Sequence, residues 1–414
     1  MATEFHNIPG TKLEHVQIND NGTTYYESGM QKWSKDEIEE MNRKFFESCE
    51  EYVQMALDDG FIEFPIMYEE GPDKVLWSKC WLPPTFVPSG SEGFKEKYGF
   101  DFNIYIPSYK RAGFAATGPL LDTYGITNYY YCVDPDQYPI YKAEYGPEKV
   151  IIRDPTFKND EKLYQVLSTN VAYNLAGGAS FINAILYMAK ALGEDKYFIA
   201  DDDIYGIGLK APKSKFGIVP GGVKYYKDNF LRCSNLTPEL GFDLKDYLTD
   251  LEKVFDLGRN RCAIATEKYG LVYNVPINHI RYGTRSYTFY LSDTHMTADH
   301  EGLLNNDIST SLRNGQRGLV NMLLEGYQYN SWDTQPRITK KDANTGELKV
   351  LDGGGCTDSY RSFGTLDKAK CLVQAHPNFN KITFLFNRIH HVSDFSQYTN
   401  QRLVGAPVDG NRNW

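Results

Sequence analysis

The chain has 414 residues, 41% of them hydrophobic and 24% charged, which is enough to bury a sizeable core in two or three structural units. Its net charge of -10 opposes diffuse attraction to nucleic acid or an anionic membrane, so a polyanionic partner has to meet a local basic patch. No apolar run of about 18 residues occurs, MATEFHNIPGTK lacks the pattern of a secretory signal, and the seven scattered cysteines form no C-x-x-C pair, so a cytoplasmic protein with reduced thiols, no membrane span and no thiolate zinc site is expected.

Residues 1–98 are expected to form an N-terminal extension. Ser34 and Glu37 have the spacing of a capping box, Met41, Phe45, Tyr52 and Met55 follow at helical spacing, and Gly60 closes the helix. The segment FIEFPIMYEE comes next, and the proline-broken WLPPTFVPSGSEG resembles a linker into the main domain.

Over 99–209 short apolar strands alternate with helical segments: FNIYIP, a helix opened by Thr117 and Pro119, ITNYYYCVD, VIIRD, a further helix and YFIADDD. This alternation predicts an α/β, doubly wound sheet, mixed but mainly parallel and flanked by helices, with ligands held beyond the carboxyl ends of the strands. The helix before the acidic run has Ser180 as its expected cap, Phe181, Ile182, Ile185, Leu186, Ala189 and Leu192 on its buried face, and Gly193 just past its end.

Residues 210–240 form a basic, aromatic insertion, and 241–414 the second half of the domain. Helices are predicted near 243–256 and 309–325 and strands near 284–291 and 382–388, with TKKDANTGELK read as a mobile polar excursion. In the insertion, Lys210, Lys213, Lys215, Lys224, Lys227 and Arg232 are interleaved with Phe216, Tyr225, Tyr226 and Phe230, against the single acid Asp228. Cations beside flat rings can neutralise phosphates and stack an exposed base, although a solvated loop would read the same way.

The triplet Asp201, Asp202, Asp203 ends an apolar strand. Three adjacent carboxylates repel one another unless a cation compensates them, and an all-oxygen ligand set favours Mg²⁺ or Mn²⁺. A hard cation there can neutralise charge developing on a departing diphosphate. The competing reading is an acidic turn or helix cap that faces water. A phosphatase of the D-x-D-x-T type would need Thr at the position of Tyr205.

The first core strand leads into Pro107, Ser108, Tyr109, Lys110 and Arg111, where a hydroxyl, a ring and two cations can stack a base and hold a phosphate. The second ends in Asp134 and Asp136, carboxylates able to accept hydrogen bonds from a base or ribose. A solvated loop remains the alternative for each.

The order IPSYKRAG, then VDPDQYPIYKAEYG, then an Asn- and Gly-rich approach to a helix, then FIADDDI resembles phage-encoded, GT-A-fold DNA-base glycosyltransferases that act on modified pyrimidines. The resemblance spans about residues 101–395 and is most specific in its first half. Tyr109 replaces the more usual Lys of that opening, leaving Lys110 to carry the charge, and the first hundred residues fall outside the match. It implies a cytoplasmic, metal-dependent hexosyl- or pentosyltransferase of the infected host, with a DXD motif and Mn²⁺ or Mg²⁺. That enzyme would move glucose, arabinose or a similar sugar from a UDP-sugar to a hydroxyl such as that of 5-hydroxymethylcytosine in DNA. In that scheme Asp201 contacts the nucleotide, Asp203 holds the metal with Asp201, and Asp202 supports both.

Asp307 stands just before a predicted helix, with Ser309 as the expected cap. The dipole of a helix N-terminus keeps a carboxylate ionised, which suits a base that takes a proton from an acceptor hydroxyl, and the resemblance implies the same role. A second capping residue is the plain alternative. His390 or His391 is a further candidate metal ligand, since GT-A enzymes often recruit a late histidine. Arg361, within the glycine-rich GGGCTDSYRSFG, is a candidate for phosphate or acceptor. The other readings left open are a glycan or protein acceptor, which the acidic composition favours, and a non-catalytic nucleotide- or DNA-binding module.

Overall fold

The structure, a computed structural model, describes residues 4–7, 14–17, 24–27, 35–69, 75–157, 177–212, 224–226, 230–233, 238, 242–268, 280–300, 304–331, 339–341, 348–350, 368–385 and 388–404. Three short strands, β1 (Glu4–Asn7), β2 (Glu14–Gln17) and β3 (Thr24–Glu27), pair antiparallel in a small sheet. Helix α1 (Lys35–Asp58) follows where the spacing predicts it, and Gly60 turns the chain with φ at 86°. Ser34 of the predicted capping box lies outside the described residues.

The residues that sequence assigned to an extension also supply a hairpin, β4 (Ile62–Glu69) and β5 (Val75–Leu82), which joins the main sheet where Cys80 and Trp81 of β5 pair with β8. Then come α2 (Phe94–Tyr98), β6 (Asn103–Pro107), α3 (Thr117–Thr123), β7 (Tyr129–Val133), α4 (Tyr138–Tyr145), β8 (Val150–Arg153), α5 (Gly177–Ala191) and β9 (Lys196–Ala200). The second half contributes β10 (Ile204–Pro212), β11 (Lys224–Tyr226), β12 (Phe230–Cys233), α6 (Leu244–Phe255), β13 (Arg261–Lys268), β14 (Ile280–Tyr282), β15 (Phe289–Asp293), α7 (Asn306–Gln316) and β16 (Val320–Ser331). Two further hairpins follow, β17 (Thr339–Lys341) with β18 (Leu348–Val350) and β19 (Asn380–Leu385) with β20 (Arg388–Ser393), with helical residues 368–375 between them.

The main sheet runs β11-β12-β10-β16-β13-β15-β9-β6-β7-β8-β5-β4, with β14 paired to β16. Its centre, β9-β6-β7-β8, is parallel, as expected of strands joined by helical crossovers, whereas the flanks are largely antiparallel. The molecule is therefore an α/β structure built on a large mixed sheet with flanking helices. The period of two sorts the central side chains: Ile104, Ile106, Tyr131, Val133, Phe198 and Ala200 face a core shared with α6, while Tyr105, Tyr130, Cys132, Tyr197 and Ile199 face one shared with α5. Because both faces are covered, the strands are apolar throughout rather than alternating.

Several expectations change in the second half. The helix predicted over 309–325 stops at Gln316; Gly318, at φ 77°, ends it, and the apolar LVNMLL enters β16, buried between β10 and β13. The strand predicted from 284 starts at Phe289, because Gly283 and Thr288 both take left-handed φ, 61° and 66°, which no strand continues. Ser180 lies inside the first turn of α5 rather than capping it, and Ser309 lies inside α7, where its hydroxyl pairs with His376 Nε2 at 2.8 Å. Described ends of TKKDANTGELK pair as the β17–β18 hairpin. Among the described residues, no helix is long and apolar enough to cross a membrane.

Candidate active site

The parallel strands β6, β7, β8 and β9 all end at one edge of the sheet, which places Ser108, Asp134, Asp154 and Asp201 there, one residue beyond the strands. The strand β15 runs the other way beside β9, so its start, next to Thr288, meets the same edge, and the Asp201 amide donates to the Thr288 carbonyl at 2.7 Å.

The start of α3 pins the acidic turn. Thr117 Oγ1 donates to the Asp201 carbonyl at 2.5 Å and accepts from the Ile204 amide at 3.0 Å, and the Ala116 amide donates to the Asp202 carbonyl at 2.8 Å. Asp202 is the best satisfied of the three acids. Its Oδ2 accepts from Ser108 Oγ at 2.5 Å and its Oδ1 from Arg111 Nη1 at 2.8 Å, while that same nitrogen lies 3.6 Å from Asp203 Oδ2. Burial pushes the Asp202 carboxyl up, with Arg111 and Ser108 acting against it. Asp201, half-buried, is relieved less, by Thr288 and then Arg111. Burial, then Asp203 and Asp202, push it well above the usual carboxylate range.

The front edge expected to meet the nucleotide is thus turned largely inward. Ser108 also pairs with Tyr141 Oη at 2.6 Å, Arg111 is 8% exposed, and the Tyr109 ring is buried. The physical reason is that a dry carboxylate costs more to leave unpaired than an exposed phosphate site gains from a waiting cation. Lys110 remains exposed, with φ at 57°, its amide donating to Gln137 Oε1 and its ammonium 5.0 Å from the Tyr109 ring. Pro107, the last residue of β6, is half-buried.

Asp134, expected to face a base or ribose, is likewise turned inward. It is 1% exposed, and its Oδ1 accepts from Arg153 Nε at 2.6 Å; Arg153 also donates to Ser180 Oγ at 2.9 Å and lies 3.8 Å from the Phe181 ring. Burial raises the Asp134 carboxyl and Arg153 opposes that. Asp136 is the more available acid, half-buried beside α1, with burial and Asp134 pushing it up to about 6.

Asp307 occupies the first turn of α7, half-buried, after Asn305 in a left-handed conformation. Its distance from Asp201 in sequence is closed through Tyr290: this phenol is buried, raised by burial first, and within electrostatic reach of both carboxylates. Arg285, Tyr287 and Tyr329 line the same corner. Sequence reading missed these residues, and it named Thr117 only as the opening of a helix. The only signal was the GTRSYT string, where glycine and an arginine interrupt an apolar stretch. Exposed rings of Phe114 (47%) and Tyr205 (45%) stand within three residues of Ala116 and Asp202.

The carboxylate oxygens of Asp201 and Asp203 are of the type a hard cation takes, and charge crowding at Asp201 is what such an ion would relieve. Among the described residues, no three His, Cys, Asp or Glu side chains converge as a complete metal cage. His390 therefore does not complete a set with Asp201 and Asp203; it lies on β20 in a separate hairpin, its Nδ1 3.4 Å from the His391 carbonyl. Two carboxylates completed by substrate phosphate and water remain the usual way Mg²⁺ is held in phosphate sites. Lys224 and Tyr225 lie on β11, at the outer edge of the main sheet, whereas Lys213, Lys215, Lys227 and Arg361 lie outside the described residues.

No protein-family model and no curated protein matches this chain.

Proposed function

We propose that the protein is a metal-dependent glycosyltransferase of GT-A type that moves a sugar from a UDP-sugar to the hydroxyl of a modified pyrimidine in DNA. The observation that carries this reading is the pairing of two differently treated acids at the carboxyl edge of a parallel sheet. Asp202 is paired with Arg111 and Ser108, while burial and then Asp203 disfavour the charge on Asp201 more strongly. Mn²⁺ or Mg²⁺ held by Asp201 and Asp203 would supply positive charge to the donor's diphosphate.

In this reaction the bond between the anomeric carbon and the diphosphate oxygen breaks, and its electron pair leaves with the oxygen. The acceptor oxygen bonds to the same carbon, and its proton passes to Asp307 if the configuration inverts. Thr117 and the Thr288 carbonyl fix the acidic turn, so these carboxylates need little reorganisation during transfer. The DNA acceptor rests on the sequence resemblance and on the basic, aromatic stretch over 210–232.

The test is mass spectrometry of nucleosides from hydroxymethylated DNA incubated with a panel of UDP-sugars and Mn²⁺, beside unmodified DNA and glycan acceptors. A glycosylated hydroxymethylpyrimidine is expected, absent with Asp203→Ala. Transfer only to glycans replaces the DNA acceptor, and no transfer to any acceptor rejects the enzyme.

A further inference from the structure

Three polar groups near Asp307 carry donors that the described residues leave largely unused. Arg285 is half-buried, its guanidinium 4.7 Å from the Tyr287 ring and hydrogen-bonded to that phenol at 3.4 Å. Among the described residues it makes no other hydrogen bond and no ion pair, although a guanidinium carries five donors in a fixed fork. The neighbouring Ser286 Oγ and the Tyr290 hydroxyl are both buried with no hydrogen-bond partner among the described residues.

A cation kept from water without a carboxylate against it is an expensive arrangement unless a ligand completes it. Burial opposes the charge on Arg285, yet Tyr287 and Asp307 outweigh that and hold it protonated. The loop that carries it is built to a fixed shape. Gly283 is pressed against the Tyr398 backbone, the Ser286 amide donates to Ser311 Oγ of α7 at 3.0 Å, and Thr288 takes φ of 66°, a costly conformation for a β-branched residue. Its last carbonyl receives the Asp201 amide, so the loop and the acidic turn are fastened together.

We propose that Arg285 binds the leaving diphosphate of the nucleotide donor, on the side opposite the Asp201 and Asp203 carboxylates; this rests on the glycosyltransfer reading for the identity of the anion. The planar fork can meet two phosphate oxygens at once, and Ser286 and Tyr290 are hydroxyl donors in the same corner. As the anomeric carbon–oxygen bond breaks, the electron pair passes to the diphosphate oxygen, and the guanidinium faces the charge that accumulates there. Arg285 then acts as a ligand to the leaving group, with Asp307 left to the acceptor side.

The test is calorimetric titration of the full chain with UDP, UMP, uridine and pyrophosphate in Mn²⁺, for wild type, Arg285→Gln and Arg285→Lys. Arg285→Gln is expected to weaken UDP by at least about 10-fold and to leave uridine unchanged, and Arg285→Lys to lose several-fold because an ammonium cannot present a fork. Wild-type affinity for UDP in Arg285→Gln overturns the proposal, as does an equal loss for UDP and uridine, or a wild type that binds neither UDP nor pyrophosphate. If the glutamine variant does not fold, the lysine variant decides: an unchanged ratio of UDP to uridine affinity overturns the assignment. Arg285-dependent UDP binding without sugar transfer to any acceptor would reject the transferase reading alone. Sugar transfer by a wild type whose UDP affinity ignores position 285 would reject Arg285 alone.

Discussion

The Arg111 guanidinium donates to the Asp202 carboxylate at 2.8 Å, and this pair joins the segment after β6 to the turn after β9. Both side chains are about one-tenth exposed, and Arg111 is the leading relief of the Asp202 carboxylate from desolvation. Removing the cation would leave Asp202 unpaired next to Asp201 and Asp203. Arg111→Met is therefore expected to destabilise the fold by about 3–5 kcal/mol, read as a lower urea midpoint at pH 7. The double variant Arg111→Met with Asp202→Asn should recover part of that loss, because no buried charge is then stranded; an additive loss would show that the pair carries no coupling.

Asp136 sets a pH dependence of stability. Burial, reinforced by Asp134, raises its carboxyl to about 6 from the ordinary value of 3.8. The folded state therefore binds this proton more tightly than the unfolded chain does. The favourable contribution is complete below about pH 4 and is lost as the pH rises through about 6. Thermal unfolding from pH 4 to 7 should show Asp136→Asn gaining on wild type across that window and keeping a constant advantage above it. Parallel curves for the two proteins would mean that Asp136 is ordinary in the folded state.

How far the site could be read from sequence follows from range. The parallel core, the acidic turn and α6 are local patterns of apolar period, capping and strand end, and they stand where the sequence places them. Asp243 caps α6 through the Lys245 amide. What sequence could not give is the partner of each charge. Arg111 is 91 residues from Asp202 and Arg153 is 19 from Asp134, and neither spacing carries a periodic signal. Residues assigned to solvent-facing ligand contacts consequently turned inward. The same holds for β16, whose apolar run fits a helix or a buried strand equally well until its neighbours β10 and β13 are known.

Gly283 fixes the loop that brings Arg285 to the site. A Cβ there would stand 1.9 Å from the Tyr398 carbonyl oxygen, and φ is 61°, so both backbone conformation and space exclude a larger residue. Gly283→Ala is expected to cost about 3 kcal/mol, combining overpacking against main chain with a left-handed non-glycine residue. Chemical denaturation measures the loss, and UDP affinity of the surviving folded fraction should fall with it. A stable Gly283→Ala protein with normal UDP affinity would show that the C-terminal segment near Tyr398 yields without moving the loop.

Asp307 offers the sharpest separation between a base and a structural cap. Among the described residues its carboxylate does not accept from an α7 amide in the way Asp243 does on α6; instead the Asp307 amide donates to Asn306 Oδ1 at 2.8 Å, so the first turn is served by another side chain. Asp307→Asn keeps the size and polarity of the group and removes only its proton affinity. The expected result for an inverting enzyme is a fall in kcat of about 10²–10⁴-fold with the UDP-sugar KM nearly unchanged and thermal stability within a few degrees of wild type. A retained kcat with lowered stability would assign Asp307 to the helix. A raised KM for the donor with unchanged kcat would move it to the nucleotide side, opposite Arg285 rather than beside the acceptor.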